Sequence, residues 1–333
     1  MTRSDSGIIY VGSRRAGKVH AVVDSDGDYR ADEVVLVAED LALPSGVTWR
    51  AGDLYVGAVS TIYRFENIDE RFRDRPSPQV VTDDLPAKRH HGWKYLKFGP
   101  DGMLYVPVGA PCNICEPDEP FATILRMDVE RPSEREIVAR GVRNSVGFAW
   151  DPATGDLWFT DNGRDRLGDE RPPCELNHLT EVGQHFGYPY FHGNGVVDPE
   201  FGKSDKAVED YRKPALALGA HVAPLGMTFY SGKQLPERYR GDVLLAEHGS
   251  WNRSKEAGPV GYRLIHAEKG VGGELNYEVF VDGWLNDDGS RWGRPVDVIE
   301  LPDGSLLVSD DEAGAIYRIA YEGSRSVASR PIR

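Results

Sequence analysis

Apolar and polar positions alternate in short runs along most of the chain, and glycine-bearing turns separate the runs. The clearest copy is Leu96-Lys97-Phe98, a turn Gly99-Pro100-Asp101-Gly102, then Met103-Leu104-Tyr105-Val106. Alternation with period two puts every second side chain on one face of a sheet. The turn glycines accept the positive φ of a tight reversal, so the segment predicts a β-hairpin. The pattern returns as Gly46-Val47-Thr48-Trp49 with Gly52-Asp53-Leu54-Tyr55-Val56, and as Val146 to Trp150 with Gly155 to Thr160. It returns again as Gly226 to Tyr230 with Gly241 to Ala246, and as Val296 to Ile299 with Gly304 to Val308. A further strand with a basic or aromatic end follows most copies, as in Ile62-Tyr63-Arg64-Phe65 and Ile316-Tyr317-Arg318-Ile319. Near the N-terminus only Ile8 to Gly12 and Lys18 to Val22 are visible, which makes six units.

Repeats of about 40–50 residues with about four short strands each are the signature of a β-propeller, whose small sheets bury their faces against one another. The expected fold is therefore all-β: a six-bladed propeller of four-stranded antiparallel blades. The first blade is expected to lack its innermost strand. Residues 1–333 are expected to form a single domain, with a rim insertion at about 161–223, the longest gap between copies. Two β-sandwich domains are the alternative for a chain of this length.

Composition narrows the function. The 37 glycines and 22 prolines suit a turn-rich β protein. The net charge of -14 without a Lys/Arg-rich run argues against nucleic acid. No apolar run approaches about 18 residues, so membrane insertion is not expected. The N-terminal residues lack the apolar core of a signal peptide, which implies a cytoplasmic protein or a version without its leader. Cys112 and Cys115 have C-x-x-C spacing, for which a local disulfide, free thiols and a metal all stay open.

Asp24, Asp26, Asp28 and Asp32 fall at i, i+2, i+4 and i+8, with the Arg30 carbonyl between them. Oxygen ligands at this spacing can wrap a hard cation, so Ca2+ in a structural role is expected here. His90 and His91 precede an inner strand; in extended backbone only one of them would face a central site, and histidine suits a general base. Arg143 and Asn144, His221, and Arg294 precede inner strands of later units. Asp161-Asn162-Gly163-Arg164-Asp165 and His248-Gly249-Ser250-Trp251-Asn252-Arg253 follow second strands. Strand ends from successive units thus deliver several cations to one end of the axis, which implies an anionic ligand. Trp251 and Trp292 are placed to flank a planar ring.

These pieces resemble the soluble quinoprotein sugar dehydrogenases, the glucose/sorbosone dehydrogenase family with its aldose dehydrogenase relatives. The resemblance rests on His91 before Gly99-Pro100-Asp101, on Gly141-Val142-Arg143-Asn144, and on Asp161-Asn162-Gly163 leading to Glu175-Leu176-Asn177. It rests also on Gly183 to Pro189, His248 to Arg253 and Gly293-Arg294-Pro295. It implies a six-bladed propeller that takes pyrroloquinoline quinone (PQQ) and Ca2+, oxidises a sugar or related aldehyde or alcohol, and passes electrons to a soluble acceptor. A periplasmic or secreted location follows from the same resemblance. It implies that His91 takes the substrate's hydroxyl proton and that Arg143 steadies charge at the quinone oxygen. Asn144, Arg164, His221, Arg253 and Arg294 are then the cofactor's other neighbours, and Gly163, Asp169 and Glu175 the Ca2+ ligands. The chain departs from its relatives in carrying Arg164 after Gly163, Cys174 before Glu175, and Val296 where an arginine is expected. A Ca2+-dependent lactonase and a non-catalytic binding propeller are the competing functions.

Overall fold

A computed structural model describes residues 1–203, 207–270 and 274–323. Six small sheets form a six-bladed β-propeller, as the repeat count predicts. In each blade the strands follow one another in chain order, innermost first and antiparallel. Blade 1 comprises Thr2–Arg3, Ile9–Gly12, Val19–Val23 and Glu33–Ala38. Its innermost strand therefore exists, contrary to the sequence expectation: Thr2 faces Tyr10 and Arg3 faces Ile9. Two residues are too few to show a period, so the pattern could not reveal it. The short blade is the last one. Pro295–Glu300, Leu306–Asp310 and Ala315–Ile319 are its only strands among the described residues.

The stretch 161–223 holds more than an insertion. Pro173–Leu179 and Leu216–Ala220 are the third and fourth strands of blade 4. Between them, Gln184–His185 pairs parallel with Arg135–Arg140, the outer strand of blade 3. One blade's excursion thus braces its neighbour.

Apolar burial lies between blades. Val47, Leu54, Val56 and Phe65 of blade 2 close on Tyr10, Val19 and Ala21 of blade 1. Phe148, Leu157 and Phe159 of blade 4 close on Tyr105, Ile124 and Val138 of blade 3. Each such side chain contributes about 1.5–3 kcal/mol when fully buried, so these contacts fix where the blade ends point. Near the axis the inner strands crowd. A Cβ on Gly147 would lie 2.1 Å from the Leu225 carbonyl oxygen, and one on Gly226 2.1 Å from Asp297 Oδ1. Only glycine lets adjacent inner strands approach this closely.

Candidate active site

Every inner strand starts, and every second strand ends, at one rim of the propeller. That rim gathers Arg14 from blade 1, His90, His91 and Trp93 ahead of blade 3, Arg143 and Asn144 of blade 4, His221 and His248 of blade 5, and Arg294 and Asp311 of blade 6.

Contacts link these residues into a belt around the axis. The Arg14 guanidinium lies over the Trp93 ring at 3.4 Å. Trp93 Nε1–H donates to Asn144 Oδ1 at 3.0 Å. The Arg143 and Asn144 backbone N–H groups donate to the two oxygens of Asp161 at 2.8 and 2.6 Å. Arg143 Nη2 reaches Asp165 at 3.4 Å, and Asp165 accepts from Asn252 Nδ2 of blade 5. His248 Nε2 pairs with Asp311 at 2.8 Å, and Arg294 Nε donates to the His248 carbonyl at 3.0 Å. The negative charge of Asp311 also acts on Arg14, which faces blade 6 from blade 1.

His91 is not extended. Its φ is +49°, a left-handed turn that overturns the expected alternation. The two imidazoles lie 4.0 Å apart as neighbours instead of facing opposite ways. His91 Nδ1 meets the Ala110 carbonyl at 2.9 Å, so Nδ1 carries the proton and Nε2 keeps its lone pair. Burial, then the charges of Arg143 and His90, hold the His91 pKa well below the usual histidine value. The ring is therefore neutral and basic at Nε2 at physiological pH.

Arg143 is buried and all five of its N–H groups point at protein oxygens. Nε donates to Asn113 O at 2.9 Å, Nη1 to Asn162 O and Gly163 O at 3.0 Å each, and Nη2 to Asn113 Oδ1 at 2.9 Å and to Asp165. It offers the site a fixed positive charge and no spare donor.

Below it lie two buried carboxyls, Asp161 and Glu175, opposite one another on adjacent strands. Glu175 Oε1 accepts from the Gly193 N–H at 2.6 Å and Oε2 from Asn177 Nδ2 at 2.9 Å. Burial pushes both pKa values up, and the Asp161 charge pushes Glu175 further, to about 8.

Other residues expected at the ligand are engaged within the protein. Arg164 is buried against Asp198, which also binds His192. Arg253 donates to the Gly258 and Asp169 carbonyls at 2.8 and 2.6 Å and pairs with Glu170. His221 uses both ring nitrogens, on Gly168 O at 2.8 Å and on Asn252 at 3.1 Å. These three tie the rim loops together. Arg14 was not singled out from sequence. Its Nε is buried without a hydrogen-bond partner, and burial lowers its pKa to about 10. The Ser13-Arg14-Arg15 turn carries no motif that would have marked it.

The metal candidates separate into two places. Asp169 binds the N–H and hydroxyl of Ser254, both at 2.7 Å, while Glu175 is buried on Gly193 and Asn177. Gly163 O already accepts from Arg143. These three do not make a common cation cage, so no step below runs through a metal. Asp24, Asp26 and Asp28 do converge, with ligand atoms within 4.8 Å of one another. Their loop joins the third and fourth strands of blade 1 and lies at the opposite rim. Within it Asp24 accepts from the Gly27 and Tyr29 N–H groups, and Asp32 caps Ser25. Arg30 offers its N–H to Asp28 at 2.7 Å. Cys112 and Cys115 form a disulfide, and Cys174 is free and buried.

The family model for glucose/sorbosone dehydrogenase matches residues 57–249, and the chain belongs to that family. An uncharacterised protein of Borreliella burgdorferi is 36% identical over 302 residues, 87% of this chain and 79% of its own. Among solved structures, a calcium-containing AA12 carbohydrate-active enzyme of Trichoderma reesei superposes with a TM-score of 0.78 at 20% identity, covering 95% of this chain and 90% of that one. The holo PQQ domain of a Coprinopsis cinerea pyranose dehydrogenase gives 0.73 at 18% identity, with 96% and 91% covered.

Proposed function

We propose that the chain is a PQQ-dependent dehydrogenase that oxidises an aldose sugar, or an aldehyde or alcohol of similar shape. The observation that carries this reading is a neutral, oriented imidazole beside a buried guanidinium, inside a belt of polar groups from five blades in which Arg14, Arg143 and Arg294 are cations. The belt suits a flat polyanion. Arg14 has a buried donor with no partner, Asn144 keeps its amide N–H2 free of protein acceptors among the described contacts, and Trp93 adds an aromatic face. Bound PQQ would supply a two-electron acceptor for the hydride leaving the substrate carbon. His91 Nε2 takes the proton of the substrate hydroxyl while that carbon–oxygen bond becomes a carbonyl. Ala110 keeps the ring in the tautomer this transfer needs. Arg143, fixed by its five oxygens, holds positive charge where negative charge grows. Arg14 and Arg294 would hold the anionic cofactor by charge.

The disulfide fits an oxidising compartment, which supports a periplasmic or secreted site of action and a soluble electron acceptor there. A lactonase would want clustered carboxylates at the axis. The one such trio among the described residues sits on the far rim, where a structural cation suits it better.

The test is a titration of the purified protein with PQQ, followed by dye-coupled oxidation of aldoses. His91→Ala should lower kcat by about 10²–10⁴-fold with PQQ uptake retained. Lactone hydrolysis without PQQ, or aldose oxidation that survives His91→Ala, would overturn the proposal.

A further inference from the structure

Resting on the reading above, we propose that Asn113 is the positioning residue of this site and that the Cys112–Cys115 disulfide exists to hold it. The loop from Gly109 to Cys115 touches both residues assigned the chemistry. Ala110 O fixes His91 Nδ1 at 2.9 Å, and Ala110 N–H donates to the Arg143 carbonyl at 2.8 Å. Three residues on, Asn113 presents two oxygens to the Arg143 guanidinium, its carbonyl to Nε and its Oδ1 to Nη2, each at 2.9 Å. Among the described residues, no other takes two of that guanidinium's donors through two different oxygens.

Asn113 is itself held from both sides. Its Oδ1 also accepts the Asp165 N–H at 2.8 Å, and its Nδ2 donates to Asp165 O at 3.2 Å. It lies between the two bonded cysteines. Tyr188 buttresses that ring: its hydroxyl accepts the Cys115 N–H at 3.1 Å and lies 3.3 Å from Cys112 Sγ. A disulfide that closes so short a loop gains little chain entropy. Its main effect is local: it leaves the Asn113 backbone few conformations, so both oxygens stay aimed. A guanidinium without this clamp keeps its charge but loses its place, and misplacement is costly in a site that works by preorganisation.

The test compares four states of the full chain: wild type, wild type reduced with dithiothreitol and freed of it by anaerobic gel filtration before PQQ is added, Asn113→Ala, and Asn113→Ala reduced and freed of dithiothreitol in the same way. In reduction Cys112 and Cys115 take up two electrons and two protons while dithiothreitol closes to its cyclic disulfide. Two quantities are read, PQQ affinity by optical titration and the His91 titration by NMR without cofactor. Asn113→Ala and reduction should each weaken PQQ binding about tenfold or more. Each should raise the His91 pKa as the Arg143 charge moves off. Reduction should add nothing in Asn113→Ala, because both changes act through one contact. Unchanged readings in either single state, or effects that simply add, would overturn the proposal. If wild type takes up no PQQ, the dehydrogenase reading fails, and the His91 titration still decides the role of Asn113. Should Asn113→Ala not fold, reduction of wild type decides alone.

Discussion

The two halves of the belt are built on opposite plans. In the half made by blades 3 and 4, the reacting and charged groups are held by protein partners: Arg143 uses five donors, Asp161 caps two backbone N–H groups, and His91 is locked by Ala110. In the half made by blades 6 and 1, Arg14 is half-buried over Trp93 with an unanswered Nε, and Arg294 touches only backbone carbonyls and ring faces. A site that must both hold a ligand and do chemistry on it needs both plans. The satisfied half keeps its reacting groups still, and the unsatisfied half has donors left for the ligand. The contrast extends into the scaffold. Blades 3 and 4 meet through a continuous apolar layer, whereas among the described residues blades 6 and 1 meet through polar contacts such as the Met1 ammonium on Asp297 at 2.6 Å and Arg318 over Tyr29 at 3.6 Å.

The largest effect is expected where satisfaction is most complete. Asp161→Ala leaves the buried Arg143 and Asn144 N–H groups without acceptors. Each such loss costs about 1–3 kcal/mol, so the variant should lose about 2–6 kcal/mol in urea unfolding, and PQQ uptake with it. If unfolding is unchanged, Asp161 does not hold the blade 4 corner. Arg14→Ala tests the other half. Its stability should move little, because a half-buried stacked cation contributes modestly. Its PQQ dissociation constant should rise about tenfold or more, the scale of one charge-assisted hydrogen bond. A variant that binds PQQ like wild type would place the cofactor elsewhere.

Much of this was legible in the sequence. Period-two runs closed by glycine turns marked the blades, and strand-end positions marked His91, Arg143 and Arg294, because a propeller sends those ends to one rim. Three things stayed hidden for physical reasons. The Thr2–Arg3 strand is shorter than one full alternation. The left-handed turn at His91 is unusual for a residue with a Cβ and leaves no compositional mark. The duties of Asn113, Asp165 and Arg14 are set by partners from other blades, such as Asn252 for Asp165, which no local spacing reports. The same cause explains why Arg164 and Arg253 read as ligand cations: the motif shows the charge but not the Asp198 or the loop carbonyls that receive it.

The smallest effect is a slope against pH, and it arises within the satisfied half. Burial raises both Asp161 and Glu175, and only one of two facing buried carboxyls can ionise cheaply. Asp161 accepts two backbone N–H groups and lies under the Arg143 charge, so it is the ionised member and Glu175 keeps the proton. A carboxyl whose folded pKa stands above its unfolded value binds more protons folded than unfolded between the two. Its stabilising contribution is complete below the unfolded value, about 4.3 for glutamate, and is lost as pH rises toward about 8. The melting temperature should therefore fall from pH 5 to pH 8, against the usual trend for a protein rich in paired carboxylates. Glu175→Gln keeps the shape and the neutral state, so it should flatten that slope and gain stability chiefly at pH 8. A slope equally steep in Glu175→Gln would mean that the proton resides elsewhere and that the satisfied half carries a second buried charge.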